Sequence, residues 1–311
     1  MRKAFVSSLM ELAKRDSRLM LIVGDVGLPV IDPFMQQFPQ QFLNAGIAEQ
    51  NMMGLAVGLT FSGRTVFVYS IGNFTTLRCL EQIRNDACYH RANVKIVSVG
   101  GGMAYGALSM SHHATEDIAA MRSLPYMTVV VPGDPIEAFL ATREVAAYPG
   151  PCYLRLGLGQ EPNLHPSRDI EFELGKAITM RQGSDVALLA TGGLLANAMA
   201  AAEKLEEYGL HARVLSLHTV KPLDVEAVMA AASETKAVFT VEEHNIVGGL
   251  GSAVAEALLE SRERPRVFRR IGLRDVYPSK VGDQAYLQAQ YGLDAPGIVQ
   301  TVMDSLQAQE R

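Results

Sequence analysis

The 311-residue chain has only three cysteines, Cys79, Cys88 and Cys152. They form neither a disulfide framework nor a zinc-knuckle spacing, and they read as buried structural thiols. Long apolar runs are missing too. No stretch approaches about 18 uninterrupted apolar residues, which excludes a membrane-spanning helix of ordinary length. Excess positive charge is also absent. Acidic residues outnumber basic ones 33 to 28, for a formal net charge of −5, and no basic segment suits a nucleic-acid partner. The opening MRKAFVSSLMELAKRD carries basic residues but no long apolar h-region or small-residue cleavage site. It reads as an amphipathic helix, and the cytoplasm is the expected location. The glycine clusters do not spell GxGxxG, and no Walker-type lysine follows them, so they fall short of a nucleotide fingerprint.

What is present is ordinary globular composition, 48% hydrophobic and 20% charged, at a length that suggests two domains. β-Branched and leucine-rich runs at 19–23, 65–69, 94–99, 127–131 and 152–156 alternate with helical patterns at 4–14, 50–59, 76–88, 117–123 and 136–147. The polar run GQEPNLHPSRD marks a linker. Beyond it the alternation resumes, with strands at 185–191, 212–216, 237–242 and 267–271 and helices at 196–208, 224–232, 252–259 and 295–306. Alternating strands and helices imply an α/β fold of two open, mainly parallel-sheet domains, 1–165 and 170–311.

Several residues are candidates for chemistry. Glu49, in FLNAGIAEQNMMGLAVG, is either a complement to a helix dipole or a carboxyl group among Ala, Gly and Met that shares or donates a proton. His112 and His113 follow a glycine loop. Adjacent residues face different ways on a helix, so at most one enters a pocket. Metal binding by this pair with Glu116 lacks a zinc motif. Gly100, Gly101 and Gly102 permit a tight turn or a close ligand approach. GGLG at 248–251 is a packed turn or an anion-binding nest. Arg155, at a strand's carboxyl end, suits either a ligand contact or an interdomain salt bridge. Tyr69 and Phe74 flank a SIGN loop, as core residues or as an aromatic wall.

The stretches NAGIAEQNMMGLAVGL, CLEQIRNDACY, SHHATEDIAAMRSLPYMTVVVPGD and VEEHNIVGGLGSAVAE occur in that order. Through them the chain resembles the C-terminal portion of transketolases over essentially its whole length. It is especially similar to the separate C-terminal subunits of split bacterial and archaeal transketolases. The resemblance implies a pyrimidine-binding domain followed by a transketolase C-terminal domain, both of the thiamine-diphosphate-enzyme type. It implies that Glu49 touches N1′ of the thiamine aminopyrimidine and promotes loss of the C2 proton, with Ile47, Tyr69, Phe74 and Asp25 near the cofactor. His112 falls on a histidine that contacts substrate and aids proton transfer, and Arg155 and Gly100 fall at the substrate.

The implied reaction moves a two-carbon ketol unit from a ketose to an aldehyde, on sugars or sugar phosphates. The implied partner is a separate N-terminal subunit whose GDG-type motif holds Mg²⁺ and the diphosphate, in an α2β2 assembly. A 2-oxo-acid decarboxylating subunit, a deoxyxylulose-phosphate-synthase-like carboligase and a non-catalytic scaffold are the alternatives. Three departures stand out. The family's histidine is Gly100 here, its GEDG reads GALS with Leu108 in place of the aspartate, and THQ has become SHH. Fewer polar groups predict a less hydroxylated or branched substrate.

Overall fold

The computed structural model describes residues 1–159, 161–261 and 264–308. Its apolar strands are mostly buried without alternation, as parallel sheet covered on both faces requires. Six of them, β1 (Leu19–Val23), β2 (Phe42–Asn44), β3 (Thr65–Ile71), β4 (Val94–Val99), β5 (Thr128–Val130) and β6 (Cys152–Leu156), lie parallel in the order β5-β6-β4-β3-β1-β2. A second sheet contains β7 (Ile178–Arg181), β8 (Val186–Ala190) and β9 (Ala212–Ser216). The chain then sends β10 (Thr219–Lys221) back to the first sheet, where it pairs antiparallel with β5. With β11 (Ala237–Asn245) and β12 (Val267–Leu273) the second sheet reads β12-β11-β8-β9-β7, parallel except for β7. The fold class expected from the sequence, two mainly parallel α/β units, is the one that forms. Among the described residues, no helix is long and apolar enough to cross a membrane.

From β1 the chain moves outward to β2 and then returns past β1 to β3. This reversal opens a crevice at the carboxyl ends of β1 and β3. The Gly24–Asp25 turn, the Glu49–Thr60 helix, the Gly72–Thr76 helix and Gly100 all follow strands ending on that edge.

Several segments differ from the sequence reading. Residues 76–88 do not form one helix. A short helix at Gly72–Thr76 passes through a 3₁₀ turn at Leu77–Cys79 and a single α turn into a π-helix at Ile83–Cys88. The Thr75 and Thr76 hydroxyls donate to the Gly72 carbonyl at 3.2 and 2.7 Å, a back-bonding that competes with a regular ladder. Leu28–Gln37, unassigned from sequence, is helical with one proline in its first turn and Pro33 inside. Strands β7 and β10 and the Gln284–Gln290 helix are likewise additions.

The two sheets share a core. One apolar cluster runs from Met52, Val68 and Ile96 through Met127 and Val129 to Leu189, Leu217 and Val238. A polar seam lies beside it. Arg155, 6% exposed, donates Nε to Asp117 Oδ2 at 2.7 Å and Nη2 to the carbonyls of Ala114 and Glu243 at 2.6 and 3.1 Å. Tyr153 donates a short hydrogen bond to the same carboxylate. Glu243 accepts from the Met103 amide at 2.7 Å and from Gln284 and Gln288. Its neighbour Glu242 accepts from the Leu250 and Gly251 amides at 2.7 and 2.8 Å. The chain's own carboxylate thus occupies the GGLG helix start, where the sequence left a turn or an anion nest open. Buried His244 donates Nδ1–H to the Asn245 carbonyl at 2.6 Å and accepts at Nε2 from the Ala119 amide at 3.3 Å, a neutral tautomer.

Removing one partner of a buried pair strands the other. Arg155→Met is expected to cost about 3–5 kcal/mol of unfolding free energy in urea titration; a loss below about 1 kcal/mol would show that the seam is not what joins the sheets.

Burial pushes His244 down to about 4 and Glu242 up to about 7. The histidine's stabilising contribution is present above 6.5 and lost as pH falls toward 4. The glutamate's is present below 4.5 and lost as pH rises toward 7. The two slopes oppose each other across the same window. His244→Gln removes one of them. Its penalty relative to wild type should shrink by about 3 kcal/mol between pH 7 and pH 4. Urea titrations at both pH values measure it, and a pH-independent penalty contradicts the neutral buried imidazole.

Candidate active site

Glu49 is the first residue of its helix and is only 3% exposed. Its chain packs over the sheet reversal, with Cγ 3.7 Å from the position of a Cβ on Gly24, and Ser70 Oγ lies 3.2 Å from that same position. Arg78 Nη1 donates to Glu49 Oε2 at 2.8 Å. Oε1 has no hydrogen-bond partner among the described residues. The Arg78 guanidinium also lies over the Phe74 ring, 4.3 Å from its centroid. Phe74 meets the His112 ring edge-on at 5.4 Å, and His112 meets the Tyr105 ring at 5.7 Å. Glu49, Arg78, Phe74, His112 and Tyr105 therefore form one continuous wall along the carboxyl edge of the sheet.

Loop contacts hold this wall in place. Asn73 Nδ2 donates to the Ser111 carbonyl at 3.1 Å, and Ser111 Oγ and His112 Nδ1 share a hydrogen bond of 3.0 Å. Of the histidine pair, half-buried His112 faces the aromatic groups. His113 is 2% exposed and donates Nε2–H to the Gly106 carbonyl at 2.9 Å. Burial pushes His113 below the usual histidine range. On the other side, Asp25 has a left-handed backbone with φ 54, uncommon for a residue with a side chain. Its carboxylate accepts from Asn44 Nδ2 at 2.9 Å, and Asn44 Oδ1 accepts from the Gly46 amide at 2.9 Å. These bonds tie together the turns that follow β1 and β2. Ile47, 79% exposed, stands on the second of them.

Two of the expected residues are placed elsewhere. The Tyr69 ring is 1% exposed and stacks on Phe5 at 5.8 Å within the core. Successive side chains on a strand face opposite ways, so Ser70 approaches Glu49 while Tyr69 turns to the other layer. Burial pushes its hydroxyl up to about 12, with the Arg2 charge opposing. Arg155 is committed to Asp117 and to the carbonyls of Ala114 and Glu243; its salt bridge lies within the first unit, and only the bond to the Glu243 carbonyl reaches the second. Gly100 does border the wall, but as the seat of the Tyr105 ring. Sequence reasoning missed Arg78, which lies 29 residues from its carboxylate partner. It also missed Tyr105, five residues beyond the glycine it covers.

Beyond Glu49 the surface is uncovered. Gln50, Asn51, Gly54, Leu55 and Gly58 are exposed along its helix. A Cβ on Gly54 or Gly58 would meet nothing within 4 Å.

The protein is thus an α/β protein with a carboxylate-bearing crevice at the carboxyl edge of a parallel sheet. Comparison with known proteins narrows the class. Residues 1–160 match the transketolase pyrimidine binding domain and residues 175–298 the transketolase C-terminal domain. The chain belongs to the transketolase family. It is 40% identical to an apulose-4-phosphate transketolase subunit of Phocaeicola vulgatus, over 97% of this chain and 96% of that one. It is 39% identical to a 6-deoxy-6-sulfo-D-fructose transketolase subunit of Clostridium sp. (strain MSTE9), over 96% and 92%. Among solved structures, a split-gene transketolase in an inactive β4 tetramer superposes with a TM-score of 0.89. That match has 38% identity and covers 98% of this chain and 97% of the other.

Proposed function

We propose that this chain is the cofactor-activating half of a two-subunit, thiamine-diphosphate-dependent transketolase. The reaction is transfer of a two-carbon ketol unit from a ketose to an aldehyde. The observation that carries the reading is Glu49: a nearly buried carboxylate with one oxygen held by Arg78 and the other without a protein partner. That second oxygen is free to accept from a ligand, and the ring nitrogen of an aminopyrimidine offers it a partner. Phe74 and Ile47 offer apolar surface for the ring. These residues fit the cofactor's pyrimidine end. When bound, thiamine diphosphate supplies a carbon nucleophile that carries the two-carbon unit between substrates.

The protein's own groups do the rest. Glu49 Oε1 holds or shares a proton with the pyrimidine while Arg78 fixes the carboxylate's orientation. His112 Nδ1 is engaged by Ser111, which leaves Nε2 to meet a substrate oxygen. The exposed, small-residue face beside Glu49 suits a separate subunit that brings the diphosphate and Mg²⁺ ligands. The relative described as a β4 tetramer is also described as inactive, which agrees with a site completed by another chain. Two relatives are named for apulose 4-phosphate and for 6-deoxy-6-sulfo-D-fructose. Here Leu108, 54% exposed, adds apolar surface to the loop before His112. Both facts support a donor or acceptor that is branched or less hydroxylated.

Glu49→Gln keeps the shape and removes the shared proton. In the complex with the partner subunit, hydrogen–deuterium exchange at thiamine C2 should slow by about 100-fold or more, the scale of a lost acid–base group. Unchanged exchange would assign cofactor activation elsewhere.

A panel of ketose donors and aldehyde acceptors, assayed in the same complex, tests substrate choice. The highest kcat/KM is expected for a branched or deoxy sugar. If xylulose 5-phosphate with ribose 5-phosphate ranks first, the substrate assignment is wrong.

A further inference from the structure

The missing side chain at position 100 leaves no vacancy. Gly100 has φ 79, and a Cβ there would lie 2.1 Å from Cε2 and 2.5 Å from Cδ2 of Tyr105. The Tyr105 ring therefore stands where any side chain at position 100 would have to go. It is held there from two sides. His113 fastens the carbonyl of the next residue, Gly106. Gly106 itself packs so closely on Gly282 that a Cβ would come within 2.7 Å of its carbonyl oxygen. The ring closes the wall that runs through His112 and Phe74 to Arg78 and Glu49. Tyr105 is half-buried, and its hydroxyl has no hydrogen-bond partner among the described residues. It also lines a cavity of about 440 Å³ with Arg2, Glu161, Asp283 and Gln284. A fixed phenol with a free O–H, beside a histidine and a polar cavity, is positioned to bond a ligand hydroxyl.

We propose that Tyr105 is a specificity-determining residue: its ring replaces a side chain at position 100 as a wall of the substrate site, and its hydroxyl hydrogen-bonds a hydroxyl of the sugar. The identity of the ligand rests on the ketol-transfer reading; the position of the phenol does not. One neutral donor at a fixed site can select among sugars that differ by one hydroxyl, because the wrong sugar leaves the phenol unpaired.

The test uses the complex with the diphosphate-binding subunit. Tyr105→Phe retains the ring against Gly100 and loses only the hydroxyl. For the best donor, kcat/KM should fall about tenfold, the scale of one hydrogen bond lost in a site built to use it, while thiamine C2 exchange stays at the wild-type rate. Tyr105→Val opens the wall and should flatten the ranking of the donor panel. A second readout does not depend on turnover. Xylitol 5-phosphate has the hydroxyls of a sugar phosphate and no carbonyl to react. Its calorimetric affinity should weaken about fivefold or more in Tyr105→Phe. If no ketose is turned over but that affinity still falls, the reaction reading fails and the role of Tyr105 stands. If ketoses are turned over and Tyr105→Phe changes neither kcat/KM nor polyol affinity, the reaction stands and the role of Tyr105 is overturned. Failure of the wild-type complex to bind xylitol 5-phosphate overturns it as well.

Discussion

The buried pair Arg155–Asp117 sets the course of everything around the crevice. Arg155 belongs to the first sheet, yet its guanidinium also bonds a carbonyl of β11 in the second. The glycine loop after β4 must pass directly over it. A Cβ on Gly101 would lie 2.6 Å from Arg155 Nε, and one on Gly102 would lie 2.6 Å from the Glu243 carboxyl carbon. Only a chain without side chains fits there. Glu243 then takes the Met103 amide. The loop that carries Tyr105 and His112 leaves the sheet from a fixed point on this seam. Residues buried in the seam thereby decide where Tyr105 and His112 stand.

The crevice itself follows from sheet topology. The reversal between β1 and β3 gathers polar strand ends at one edge, and the helix beginning at Glu49 brings a carboxylate down onto them. What the crevice holds is a nearly buried carboxylate, an aromatic ring and an imidazole. Diphosphate and metal chemistry calls for anion- and cation-binding groups. Among the described residues, no cluster of three or more His, Cys, Asp or Glu side chains stands where it could hold a metal ion. The face beside Glu49, with Ile47 exposed and Gly54 and Gly58 uncrowded, is where the complementary groups would enter.

Both sheets were legible in the sequence because their strands are unbroken apolar runs between glycine and proline punctuation. The position of Glu49 was legible because AGIAEQ joins a strand end to a helix start. The Glu49–Arg78 contact was not. It depends on a segment whose helix breaks into 3₁₀ and π turns, and periodicity cannot register such breaks. Arg155 had two readings of equal standing, since its acceptors come from residues 114, 117 and 243. Loss of a side chain at Gly100 read as a loss of polarity. Its replacement by Tyr105 depends on the loop's path, which no local pattern encodes. Strand β10 is three residues long and pairs with a strand of the other unit, too short and too distant to register as a period.

The proposed catalytic unit is shared, one crevice per chain and one partner for each. Titrating a fixed amount of the diphosphate-binding subunit with this chain, at saturating cofactor and Mg²⁺, tests it most directly. Ketol-transfer activity should be absent from either subunit alone, rise linearly with added chain, and stop rising at one chain per partner subunit. Activity from this chain without the partner, or an equivalence point far from one to one, would contradict it.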